Sequence, residues 1–203
     1  DSSGQGFCVF FTNSYATAVT GGGPGPGLGY TSTENVSAYY YTTSAIATEF
    51  EGVSYGELGV GFDVTGYFCT TDFGLDGLSN PVPNSITIRD SINNQFGFLY
   101  NTGNLATKLN PVNLYQPETV LSNLQYNRIR VRLTDLGKRI VVDIRRPGDL
   151  EFNNYVNLPI NNIWPKSVRC CLSFSSDSTM VLKIKNFNVN GFITDEIGDD
   201  NAL

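Results

Sequence analysis

Residues 127–146 read NRIRVRLTDLGKRIVVDIRR. Ile129, Val131 and Leu133 alternate with Arg128, Arg130 and Arg132. Past the turn TDLGK, Ile140, Val142 and Ile144 alternate with Val141, Asp143 and Arg145. A period of two sends alternate side chains to opposite faces of a strand. Setting Leu133 opposite Ile140 also sets Val131 opposite Val142 and Ile129 opposite Ile144. The same register sets Arg130 across from Asp143 on the solvated face. One register satisfies both faces, so this stretch is a β-hairpin.

The neighbouring segments follow the same logic. Residues 85–89 (SITIR) and 95–101 (QFGFLYN) form a second hairpin. Residues 57–64 (ELGVGFDV) make a strand that Gly66 interrupts, and 6–11 (GFCVFF) read as a strand buried on both faces. One short strand is expected within 36–50 (VSAYYYTTSAIATEF). Strands are also expected at 168–175 (VRCCLSFS) and 180–190 (MVLKIKNFNVN), the latter with a bulge at Asn186. Between them lie GGGPGPGLGY (21–30), which cannot form a helix or a regular strand, and TTDFGLDGLSNPVPN (70–84), a polar loop. Residues 102–124 read as irregular, with Pro111 and Pro117 as breakers. Nine or more short strands, some buried on both faces and others alternating, imply an all-β, two-sheet antiparallel sandwich of jelly-roll type. It spans residues 1–193, and 194–203 (TDEIGDDNAL) read as an acidic, solvated tail.

Composition agrees and excludes much. With 40% hydrophobic and 16% charged residues among 203, the chain is globular. Its net charge of −6 argues against duplex nucleic acid as a partner, because that binding rests on Lys and Arg neutralising phosphates. The longest purely apolar run is Phe7–Phe11, whereas a membrane-spanning helix needs roughly 20 residues. The chain starts at Asp1 without a leader, so it is expected to be processed or excised from something longer. Histidine is absent, which removes Ser-His-Asp and Cys-His catalysis, HExxH proteases and His-based metal triads together. Cys8, Cys69, Cys170 and Cys171 form no CxxC. They read as free, mostly buried thiols, with a Cys8–Cys69 bridge as the alternative. Cys170 and Cys171 should face opposite sides of their strand.

The order GQGFCVFF, GGGPGPGLGY, GELGVGFDVTGYF resembles the L-type lectin pattern. There a "DG-apolar-AFF" strand precedes a "GG-x-LG" loop and a "V-E-F-D" strand that opens a metal loop. VRLTDLGKRIVVDI and CLSFSSDSTMVLKIKNFNVNGF look like the closing strands of concanavalin A-like lectin/glucanase sandwiches. The combination resembles the variant found in virion structural proteins of phages and marine viruses. Such lectins open with one or two strands before the "DG" segment, so the resemblance implies that upstream sequence or another chain completes the sheet.

The resemblance also implies a site. Gln5 stands where the lectins carry their sugar-binding Asp; it can exchange hydrogen bonds with hydroxyls but is no anionic anchor. The glycine loop that offers an N–H to sugar falls at Gly23, Gly25 and Gly27 through Gly29, with Tyr30 beside it. In the metal loop the first carboxylate is replaced by Gly61, Asp63 is kept, the Asn position is Tyr67, and Asp72 is kept. Asp63, Asp72 and Asp76 with backbone carbonyls make a weak calcium site at most, so no cofactor or metal is expected. The plainer reading of Asp63 is a buried carboxylate capping its own loop.

Other motifs point away from chemistry. No helix follows GGGPGPGLG, so it is no nucleotide loop. The glucanase E-x-D-x-x-E is absent, and Glu49 and Glu51 lack a third partner, so the chain is not read as an enzyme. Arg128, Arg130 and Arg132 read mainly as a solvated face, with an anionic glycan or acidic neighbour as the alternative. Tyr39, Tyr40 and Tyr41 suit sugar stacking or an interface, with at least one in the core. Trp164 reads as a loop anchor, and Asn35-Val36-Ser37 is the one glycosylation sequon. The expected function is a non-enzymatic virion or extracellular structural/adhesion domain in assembly or surface decoration. Its partners are other subunits or copies of itself, without nucleic acid or membrane insertion. The alternative is a lectin module that attaches to host-surface glycan.

Overall fold

The structure is a computed structural model; it describes residues 5–14, 22–23, 25–32, 52–71, 75–90, 96–114, 126–161, 164, 167–175 and 186–190. Eight strands are described. They are β1 (Gly6–Asn13), β2 (Gly56–Asp63), β3 (Ser85–Asp90), β4 (Phe98–Asn101), β5 (Arg128–Thr134), β6 (Arg139–Arg145), β7 (Asn153–Pro159) and β8 (Val168–Ser175). They form a five-stranded sheet, β4-β3-β2-β1-β8, and a three-stranded sheet, β5-β6-β7. Every pairing is antiparallel. The protein is an all-β sandwich.

The β5–β6 hairpin has the expected register: Ile129 faces Ile144, Val131 faces Val142, Leu133 faces Ile140 and Arg130 faces Asp143. Asp135 and Leu136 take left-handed backbone in its turn, which suits the right-handed twist of the strands. The Trp164 indole N–H donates to the Gly137 carbonyl at 2.6 Å, and the ring meets Phe11 edge-on at 5.9 Å. Trp164 therefore ties the hairpin turn to the large sheet.

The main core joins both sheets. Val9, Phe11, Leu58, Val60, Phe62, Ile86 and Ile88 of the large sheet cluster with Ile140, Val142, Ile144 and Val156 of the small one. Burying one such side chain contributes about 1.5–3 kcal/mol. Phe7 and Phe62, neighbours in the β1–β2 register, stack at 4.6 Å.

A second apolar cluster covers the opposite face of the large sheet: Cys8, Phe10, Leu28, Tyr30, Val53, Phe68 and Phe96. Strands β1 and β2 are thus buried on both sides, as the unbroken apolar run of β1 implies. Cys170 packs into the first cluster and Cys171 into the second, on opposite faces as expected. All four thiols are free, so the Cys8–Cys69 bridge does not form.

Three expectations are corrected. Strand β7 was not anticipated: its asparagines are poor strand formers, and pairing with β6 overrides them, setting Val156 on Val142 and Leu158 on Ile140. Residues 186–190 form no strand and are exposed, with Phe187 and Val189 about half accessible and Asn186 turned left-handed at φ 54°. Asp143 is not solvated but buried beneath arginines. The strand expected within 36–50 and residues 180–185 lie outside the described residues.

Candidate functional site

Strand β2 alternates bulky and minimal residues. Leu58, Val60 and Phe62 enter the main core, while Gly59 and Gly61 face the other way. A Cβ at Gly59 would strike the Tyr30 ring, and one at Gly61 would strike the Phe68 ring. The glycines bring two aromatic rings onto the backbone of the sheet, in the close approach that only hydrogen side chains permit.

Asp63 ends β2 on this same face and is fully buried. Its Oδ1 accepts from Thr65 N at 3.0 Å, Thr65 Oγ1 at 3.1 Å and Gly66 N at 2.8 Å, and its Oδ2 accepts from Phe68 N at 2.6 Å. One carboxylate thus folds the following turn back on itself. Gly66 takes φ 91° there, and a side chain would meet the Val82–Pro83 backbone. Burial pushes the Asp63 carboxyl up to about 6, with the donated hydrogen bonds opposing.

Arg89 secures the same loop from β3. Its guanidinium is wholly buried and donates to four carbonyls: Phe68 at 2.8 Å, Asp76 at 2.6 Å, Phe96 at 2.8 Å and Thr70 at 2.9 Å. The Phe68 and Phe98 rings lie 5.5 and 5.9 Å away. Burial lowers it to about 10, so the group stays charged at neutral pH. Sequence reading missed Arg89. The available signal was a charged residue closing the Ile86–Ile88 alternation of SITIR.

The glycine loop lies against the sheet. Gly22 N, Gly23 N and Gly29 N donate to Gly29 O, Thr31 O and Gly23 O. Two serines of β8 pin it: Gly25 N donates to Ser175 Oγ at 2.7 Å, and Ser173 Oγ donates to Leu28 O at 2.6 Å. Gly23, Gly25 and Gly27 are buried.

Several sequence-predicted residues do meet. Gly6 pairs with Asp63 on one side and Ser175 on the other. Gln5 O accepts from Val64 N at 2.8 Å, and Gln5 N donates to Thr65 Oγ1 at 3.2 Å. Gln5, Gly25 and Asp63 therefore gather at one end of the large sheet. Tyr67 opens a 3-10 turn, Tyr67–Cys69, and is partly exposed. Tyr30 is placed otherwise than expected. It is completely buried, edge-on to Phe96 at 5.2 Å and Phe68 at 6.5 Å, so its ring is a core element rather than a platform for a ligand. Asp72 and Tyr39–Tyr41 lie outside the described residues, as do Glu49 and Glu51. Among the described residues no group of three metal-ligating side chains is found, and Asp76 serves Arg89 through its carbonyl. Comparisons with protein-family models, with curated proteins and with solved structures gave no match.

Proposed function

We propose that this chain is a non-enzymatic structural or adhesion domain on a lectin-like, concanavalin A-like jelly-roll sandwich. It acts in particle assembly or surface decoration, on a virion or outside cells, with other protein subunits as partners. One observation supports this reading most. The groups that the resembled lectins turn toward metal and sugar are engaged internally here. Asp63 accepts four hydrogen bonds, and Gly23 and Gly25 give their amides to Thr31 and Ser175. A loop end locked in this way favours a rigid framework over an open ligand site.

The gathering of Gln5, Gly25 and Asp63 at one end of the sheet supports a second reading, a glycan-binding module for attachment to a host surface. A glycan array, run with calcium and again with chelator, separates the two. The structural reading expects no binding in either condition and a mass above the monomer by light scattering. Glycan binding that disappears in Asp63→Ala would replace it with the lectin reading.

A further inference from the structure

The β5–β6–β7 sheet turns one face to the main core and the other outward. The register places Arg128, Arg130 and Arg132 of β5 and Arg139 and Arg145 of β6 together on the outer face. Among the described residues, the register sets one carboxylate, Asp143, among these five guanidinium groups. Asp143 already serves two of them: Arg130 Nε donates to its Oδ2 at 3.1 Å, and Arg132 donates through Nε at 3.2 Å and Nη2 at 2.7 Å. Arg128 stands directly opposite Arg145, a like-charge cross-strand pair that destabilises an isolated sheet. Phe152 holds Arg130 and Arg145 over its ring, at 4.4 and 5.2 Å from its centre.

This concentration of positive charge stands in a chain of net charge −6. The same sequence carries Asp195, Glu196, Asp199 and Asp200 in a stretch, 194–203, without Lys or Arg. Guanidinium groups pair strongly with carboxylates, and Arg132 gives two N–H groups to Asp143 Oδ2 on this very face. Resting on the assembly reading above, we propose that the arginine face docks the acidic 195–200 stretch of a second copy of this chain. Carboxylates from that copy would relieve the Arg128–Arg145 repulsion, which Asp143 is too occupied to do.

The test uses the full chain and two variants. One carries Arg128→Ala, Arg139→Ala and Arg145→Ala, which leaves the Asp143 pairings intact. The other carries Asp195→Asn, Glu196→Gln, Asp199→Asn and Asp200→Asn. Mass is followed by light scattering across protein concentration at about 0.02 M and about 0.5 M salt, since surface charge pairs are screened at the higher value. The proposal expects concentration-dependent association of the natural chain at low salt, weakened in each variant by about tenfold to a hundredfold. It further expects that mixing the two variants restores association, because one supplies the face and the other the acidic stretch. Circular dichroism and melting of each variant confirm that it is folded. Association that persists unchanged in both variants overturns the arginine face but leaves assembly standing. A natural chain that is monomeric at every concentration and salt overturns both. Weakening in each variant without rescue on mixing overturns docking between copies.

Discussion

Gly61 of β2 lies directly beneath the ring of Phe68, and nothing larger than hydrogen fits between them. The contact joins the sheet to the loop that Asp63 and Arg89 organise. Gly61→Ala is therefore expected to push the ring away and destabilise the fold by about 1–3 kcal/mol. Chemical denaturation measures this, and a variant as stable as the natural chain would contradict the packing. Alanine at Gly148, where a Cβ meets nothing within 4 Å, is the control for space. Its φ of 86° adds a backbone strain that Gly61 does not have, so the difference between the two variants is a lower bound on the ring contact.

Asp63→Asn tests the carboxylate cap. The amide NH2 must face at least one of the donors now offered to Oδ1 and Oδ2, leaving a buried group unpaired. The expected loss is about 1–3 kcal/mol at neutral pH. The pH dependence has a definite sign. The folded carboxyl is raised from 3.8 to about 6. The part of its contribution that is linked to proton binding is therefore fully present below the unfolded value and is lost as pH rises through about 6. Relative to Asp63→Asn, the natural chain should gain on the order of 2 kcal/mol between pH 7.5 and pH 4. Denaturant midpoints of both proteins at the two pH values check this; a gap that stays constant or shrinks toward pH 4 would contradict it.

Arg89→Met removes the guanidinium N–H groups that reach the Phe68, Thr70, Asp76 and Phe96 carbonyls. Taking these bonds from the buried Phe68 and Phe96 carbonyls should cost about 3 kcal/mol or more. Arg89→Lys keeps the charge but cannot span four acceptors, so it should fall between Met and the natural residue. Limited proteolysis gives the local readout: new cleavage within residues 66–78 is expected in both variants. Cleavage that stays at natural sites would show that Arg89 does not hold the loop.

Cys8, Cys69 and Cys170 should be quiet in the native state. Burial pushes Cys8 well above the ordinary thiol range and Cys170 up to about 11, with neighbouring Cys171 adding to the latter. Thiolate is the reactive form, so an aromatic disulfide reagent at pH 8 should label these three slowly in the folded chain. In denaturant all four cysteines should react at once, because none is bridged. Two reactive thiols in denaturant without reductant would signify a disulfide.

Much of the fold was legible where a short repeat carries it. Alternation in 128–133 and 140–145 set the β5–β6 register residue by residue, and VRCCLSFS matched β8 from end to end. The plainer reading of Asp63, a carboxylate capping its own loop, is what its four hydrogen bonds form. Strand β7 escaped because three asparagines mask the Val156–Leu158 alternation. Arg89 escaped because all four of its partners are carbonyls of other segments, which no side-chain pattern reports.

By itself, then, the sequence determined the strands whose alternation is unmasked, and which of their side chains share a face. Those follow from local geometry, the period of two and the left-handed turn positions. Tertiary structure alone decided which loop covers which face. It set Tyr30 over Gly59 and Phe68 over Gly61, drew the glycine loop onto Ser173 and Ser175, and buried Asp143 under Arg130 and Arg132. These contacts join residues far apart in the chain, and their stability depends on excluding water from all of them together.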